Sequence, residues 1–362
     1  MRKQNEAVGR PVHGSITPAE LRELDLNIDD VIDFSSNINP LGMPSRLKKA
    51  IADTDISRYP DPDCLELREA ISRKIGVDTG SILIGNGSTE IIHLIARTFL
   101  KKDSDAVILS PTYGEYETAC RLTGAEPVFI KAEEKNDFRW SIPGVCRQLK
   151  SIKPRIIFLC NPNNPTGVLL KSGDVAKIAA ATAPGLLVID EAYMPFADEP
   201  WDAATLLDKG NVIVMRSMTK DYAVAGIRLG YMVAAPDTIE RLRCYQPFWS
   251  VNAIAQAIGL AAINDDKHIA RSRKTVAEAK KYILKAIADI GLDVIPSSTN
   301  FLLIKVGDAG SMRRALLEHG VCVRDCTSFG LPQYIRIAMQ PLPACRIFVD
   351  ELRFVIKERI GK

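Results

Sequence analysis

The most reactive arrangement in the chain is a lysine set among hydroxyl side chains, Arg216-Ser217-Met218-Thr219-Lys220, followed by Gly226-Ile227-Arg228-Leu229-Gly230. A solvated surface lysine satisfies the same pattern. A lysine whose pKa is lowered, however, is a Schiff-base nucleophile. Arg228 follows eight residues later. Its guanidinium could return to an anion held at the same place.

Three other segments offer groups of complementary chemistry. In Leu186-Leu187-Val188-Ile189-Asp190-Glu191-Ala192-Tyr193 an apolar run ends in a carboxylate that can pair with a cation, with Tyr193 nearby. In Cys160-Asn161-Pro162-Asn163-Asn164-Pro165-Thr166-Gly167 the density of Asn and Pro makes a structured turn, from which Asn164 can offer its amide. In Ile82-Leu83-Ile84-Gly85-Asn86-Gly87-Ser88-Thr89-Glu90 a strand runs through a glycine turn into a helix. Free N–H groups and the helix dipole make such a start an anion site, with phosphate the natural guest. The third glycine of a dinucleotide fingerprint and the GK[ST] ending of a P-loop are both missing. Each segment alone reads equally well as a turn, a cap or a surface acid. Together, in this order, they argue for one site.

Short apolar runs at 81–84, 106–109, 155–160, 186–189, 212–215 and 229–233 carry these segments. Their Val, Ile and Leu content suits strands buried on both faces, and most are separated by 20 or more residues of helix-like patterning. That spacing predicts crossovers and a mostly parallel sheet flanked by helices. Ligands of such sheets bind at the carboxyl edge of the strands. The lysine follows the fifth of these strand candidates. Residues 1–45 are irregular and rich in Pro and Asn, and are read as an arm packing with a smaller unit. The large domain is placed at 46–250 and a small α+β domain at 251–362. The latter is expected to hold helices over 251–290, 311–319 and 343–360, and strands at 301–306 and 334–338.

The chain has 362 residues, of which 46% are hydrophobic and 25% charged, as in an ordinary soluble protein. Lys+Arg 47 against Asp+Glu 44 leaves +3, too little by itself to imply a nucleic-acid partner. The longest uncharged stretch, 244–264, is broken by Gln246, Pro247, Asn252 and Gln256, so no membrane span is expected. The N-terminus MRKQNEAVGR lacks an apolar core, so no signal peptide is expected either. Eight scattered cysteines without a CxxC pair suggest reduced thiols in the cytoplasm and no metal site.

With the motifs NPNNPTG, IDEAY and SMTK…GIRLG taken together, the chain resembles the fold-type-I aminotransferases dependent on pyridoxal phosphate. The resemblance runs through nearly the whole sequence. It implies that Lys220 carries the cofactor as a Schiff base and that Asp190 faces the pyridine nitrogen and keeps it protonated. Asn164 and Tyr193 would bond the phenolic oxygen, and Tyr113 would stack on the ring. Gly87, Ser88, Thr89, Ser217, Thr219 and Arg228 would cup the phosphate. Tyr59, in RYPDP, would reach that phosphate from a partner subunit, which implies a homodimer with shared active sites.

Two groups within the family share these motifs: histidinol-phosphate aminotransferases and L-threonine-O-3-phosphate decarboxylases. The segments His13-Gly14, DFSSNINPLGMP, PFWSVNA and VRDCTSFGLPQYIRIA look more like the decarboxylases, although Ser15 stands where those usually carry a second glycine. Decarboxylation of L-threonine O-3-phosphate for cobalamin biosynthesis is therefore the expected activity, with the aminotransferase as the alternative. By the same resemblance Arg336 meets the substrate carboxylate, and Arg324, helped by His13, meets its phosphate. Asn164 also contacts the substrate, and Asn39 and Gly42 help fold the arm over it. No nucleic-acid or membrane partner is implied. The choice of reaction depends on which bond to Cα stands perpendicular to the cofactor ring, and sequence holds no such angle.

Overall fold

The computed structural model describes residue 14 and residues 16–360. Thirteen strands appear among them: β1 (Ile32–Asp33), β2 (Ile82–Gly85), β3 (Ala106–Ser110), β4 (Pro127–Lys131), β5 (Ile156–Cys160), β6 (Leu186–Asp190), β7 (Val212–Ser217), β8 (Gly230–Val233), β9 (Val294–Ile295), β10 (Phe301–Lys305), β11 (Val321–Cys322), β12 (Arg324–Asp325) and β13 (Tyr334–Ala338).

Seven of these form the central sheet, in the order β2-β8-β7-β6-β5-β3-β4. From β7 to β4 the strands are parallel, as expected, whereas β8 runs antiparallel to both β7 and β2. Successive residues of the inner strands point to opposite faces. Ile157 and Leu159 of β5 join one hydrophobic cluster with Val145, Leu149, Val175 and Ile178 of the helices Ile142–Ile152 and Ser172–Thr182. Ile156 and Phe158 join the other, with Ile91, Ile95 and Tyr116 of the helices Gly87–Phe99 and Glu115–Leu122. Burial on both faces is why these strands read as continuous apolar runs.

A second sheet, in the order β12-β13-β10-β9, is antiparallel throughout. It shares a core with the helices Asp266–Ile290, Ala309–Glu318 and Leu342–Ile360. The arm joins this unit, because β1 pairs in parallel with β11. The expected helical stretch over 251–290 is two helices, Ala253–Ala262 and Asp266–Ile290, the second capped by the Asp265 side chain. The first of these does not belong with the C-terminal core. Its Ala255, Ile258 and Ala262 pack against Leu47, Leu67, Ile82 and Leu229 beside the central sheet. The change of core thus falls at this helix break, after the boundary expected at 251.

Among the described residues no helix is long and apolar enough to cross a membrane.

Candidate active site

Parallel strands bring their carboxyl ends to one edge of the sheet. Cys160 of β5 lies beside Asp190 of β6, and Asp190 beside Met215 of β7. The reversed β8 begins at that edge, where Gly230 stands level with both Gly85 and Ser217. This is why Arg228, two residues before β8, reaches the glycine turn after β2 and the lysine turn after β7.

A cavity of about 570 Å³ opens at this edge. It is lined by Ser88, Thr89, Tyr113, Asn164, Asp190, Tyr193, Thr219, Lys220, Arg228, Arg324 and Arg336, all expected from the sequence.

Lys220 lies in a one-turn helix, Met218–Asp221, whose N-cap Ser217 accepts from the Thr219 N–H. The Ser217 and Thr219 hydroxyls are 2.7 Å apart. Burial, with Arg228 and Arg336 adding repulsion, pulls the Lys220 amine down to about 8, against the attraction of Asp190 and Asp221. Asp221 itself is pushed up to about 7 by burial. Asp190 is buried, and burial raises its carboxyl above the usual range. Opposing that shift are the Tyr116 hydroxyl, which donates to Oδ2 at 2.8 Å, the Ala192 N–H, which donates to Oδ1 at 2.9 Å, and the charge of Lys220.

Gly87 has φ +78, and a Cβ there would come within 2.5 Å of the Arg228 guanidinium. Arg228 is anchored by a bond from Nη1 to the Ala225 carbonyl at 3.1 Å. The Gly87–Phe99 helix start, the Ser217–Thr219 hydroxyls and Arg228 form a cup of donors with room for an anion. In NPNNPTG the asparagines divide their work. Asn161 exchanges bonds with Leu170, and Asn163 ties Pro111, Thr112 and Thr166 together. Asn164 is left to the cavity, where its Oδ1 accepts from Arg336. Tyr193 packs its ring edge-on to Phe301 at 5.0 Å.

Arg336 also donates to the Ser35 carbonyl at 2.6 Å, while its Nε is buried without a hydrogen-bond partner among the described residues. Arg324 donates to Ser328 Oγ at 2.6 Å, and a Cβ on Gly14 would overlap its side chain. His13 lies outside the described residues.

Four expected site residues do not line the cavity: Gly87 and Ser217, which lie against the lining residues Arg228 and Thr219, and Gly42 and Tyr59. Gly42 has φ +70 and donates its N–H to the Asn39 carbonyl, closing a turn in the arm. Tyr59 is 78% exposed and stacks on Trp249 at 4.5 Å, so within one chain it reaches nothing in the site. Asn39 is an anchor: its N–H donates to the Lys220 carbonyl at 2.9 Å and its side chain to the Asp221 carbonyl at 2.6 Å.

Sequence reasoning missed Tyr116, Ser35, Asn37, Ser328 and Phe329, all of which line the cavity. The signal for Tyr116 was its place three residues after Tyr113 in SPTYGEY, one helical turn further on.

The model of the family "Aminotransferase class I and II" matches residues 29–352. The chain belongs to this family. A histidinol-phosphate aminotransferase of Symbiobacterium thermophilum is 34% identical over 94% of this chain and 95% of its own. The solved histidinol-phosphate aminotransferase of Sinorhizobium meliloti, in complex with pyridoxal-5'-phosphate, superposes with TM-score 0.86 at 26% identity, covering 95% of each chain. The solved L-threonine-O-3-phosphate decarboxylase of Porphyromonas gingivalis gives TM-score 0.80 at 27% identity, covering 90% of this chain and 100% of that one. The architecture is the fold-type-I aminotransferase fold, with its mixed, mostly parallel sheet flanked by helices.

Proposed function

We propose that this chain is a pyridoxal-phosphate-dependent enzyme that decarboxylates L-threonine O-3-phosphate to (R)-1-aminopropan-2-yl phosphate and CO₂. The residues present fit the cofactor. The donor cup at Gly87, Ser88, Thr89, Ser217, Thr219 and Arg228 suits its phosphate, the depressed amine of Lys220 suits its aldehyde, and Asp190 suits its ring nitrogen. Tyr113 would lie against the ring, and Asn164 and Tyr193 would meet its phenolic oxygen. When bound, the cofactor supplies an electron sink for the bond broken at Cα.

The remaining chemistry belongs to the chain. Arg324 and Arg336 offer two cationic forks to a substrate with two anionic groups. Lys220 would be the group that returns a proton to Cα. A firm grip on the carboxylate alone would stabilise the charge that decarboxylation removes and would not speed the step. The phosphate is therefore the group on which binding energy is best spent, and Arg324 with Ser328 is the pair assigned to it.

One observation carries the choice of reaction. Three of the four decarboxylase-like segments contribute to the cavity lining: Gly14 from His13-Gly14, Ser35, Ser36, Asn37 and Ile38 from DFSSNINPLGMP, and Arg324, Ser328, Phe329 and Arg336 from VRDCTSFGLPQYIRIA. The fourth, PFWSVNA, does not line it. Histidinol-phosphate aminotransferase is the second reading, favoured by the relative at 34% identity. We read the protein as a cytoplasmic homodimer of cobalamin biosynthesis, with Tyr59 of one protomer completing the phosphate cup of its partner.

The test gives purified, cofactor-loaded protein phosphothreonine without a keto acid and follows CO₂. Release of CO₂ supports the reading. Glutamate-dependent amino transfer to imidazole acetol phosphate without CO₂ release would reverse it.

A further inference from the structure

Asp190 is gripped on both oxygens by donors of different origin. The Ala192 N–H follows from the turn after β6, whereas the Tyr116 hydroxyl comes from 74 residues earlier in the chain. Tyr116 is 0% exposed. Its ring lies parallel to Phe158 at 5.0 Å and edge-on to Tyr113 at 5.7 Å. Packing on two sides aims the phenol oxygen at the carboxylate.

Burial drives the Tyr116 phenol far above its ordinary pKa, so it remains a donor and never competes for the negative charge. A bond donated to a carboxylate favours its ionised form. Desolvation pushes Asp190 the other way. The other titratable groups in range are Cys160 on β5, Tyr113, Tyr193 and Lys220. Burial raises the thiol and both phenols, so these stay neutral. Lys220 acts on Asp190 through its charge and not through a hydrogen bond. Tyr116 is the one side chain with a hydrogen bond to Asp190 among the described residues.

We propose that Tyr116 is a positioning residue for the reaction: its hydroxyl keeps Asp190 anionic and turned to meet a protonated pyridine nitrogen. The proposal rests on the reading of the cavity as a pyridoxal phosphate site. It adds a residue that touches no substrate but sets the electronic state of the cofactor.

Tyr116→Phe keeps the ring packing and removes the donor. With purified protein and pyridoxal phosphate, cofactor affinity is measured by equilibrium dialysis from acid to alkaline pH. The variant is expected to bind about tenfold more weakly at neutral pH, and the acid limb of the profile is expected to move up by about one pH unit, as loss of a hydrogen bond to a charged group implies. Its kcat falls while the substrate KM holds. Replacing Tyr116 by 3-fluorotyrosine, a more acidic phenol and stronger donor, moves the acid limb the opposite way in an otherwise native core. If the phenylalanine variant does not fold, the fluorotyrosine shift decides. A purely structural role predicts a lower Tm with the acid limb unmoved, and that result overturns the proposal. Failure of the unaltered protein to take up pyridoxal phosphate sinks the reading of the site, and this proposal with it. Uptake with unchanged titration in both variants sinks only the role of Tyr116.

Discussion

Arg324 and Arg336 stand directly opposite each other on the neighbouring strands β12 and β13, and both are buried. Like charges facing across an antiparallel pair are unfavourable, and burial strengthens the repulsion. Burial and the charge of Arg336 both lower the pKa of Arg324. The pair is therefore built for anions. Arg324→Met should leave the Tm of the ligand-free protein unchanged or higher. It should remove most of the Tm gain that phosphothreonine gives the unaltered protein, and raise KM at least about tenfold. Thermal melts with and without ligand check this, and a clear loss of ligand-free stability would contradict it.

Lys220 links stability to pH in the cofactor-free protein. Its folded pKa is about 8 against an ordinary 10.5. Between those values the unfolded chain holds a proton that the folded chain has lost, so stability rises with pH through that window. Below it, the buried ammonium costs up to about 3 kcal/mol. Lys220→Met should lose this contribution and keep the opposite slope of the buried thiols, whose pKa values burial raises, and it should be the more stable protein at neutral pH. Denaturant melts over this range measure both.

The turn at Gly87 combines a left-handed backbone with a guanidinium where a side chain would begin. Gly87→Ala should therefore cost about 1–2 kcal/mol of stability through backbone strain. By displacing Arg228 it should weaken pyridoxal phosphate binding about tenfold or more. Fluorescence titration tests the second effect, and an affinity equal to the parent would contradict it.

Tyr59 and Trp249 form an exposed stack, with Phe248 78% exposed beside it. If Tyr59 completes the phosphate cup of a partner as proposed, Tyr59→Ala is expected to lower cofactor affinity and to shift the proposed dimer towards monomer, read by dialysis and by size-exclusion chromatography with light scattering. A variant that stays dimeric and keeps its cofactor would remove Tyr59 from the phosphate cup.

The parts of the fold legible in the sequence were those with two buried faces. The runs over 106–109, 155–160 and 186–189 match β3, β5 and β6 within a residue. β4 was missed because it is an edge strand: it starts at Pro127, and Val128 and Lys131 are exposed, so its apolar signal is broken. Lys220 accordingly follows the sixth strand of the central sheet in chain order, not the fifth. The reversal of β8 carries no compositional mark, since antiparallel and parallel inner strands bury the same residues. The cavity residues recovered from sequence lie in strand-to-turn motifs. Of those missed, Tyr116 and Phe329 are aromatic side chains that read as core until their contacts are known, and Ser35, Asn37 and Ser328 are small polar residues of irregular segments that read as turns.

The two arginines belong to the sheet of β12 and β13, whereas Lys220, Asp190 and Arg228 stand on the edge of the central one. In the proposed function, the residues assigned to the coenzyme and the two arginines assigned to the substrate thus stand on separate sheets. The two scaffolds meet at Arg336, which bonds Asn164 and helps depress the Lys220 amine, so a change at that arginine is felt on both sides of the cavity.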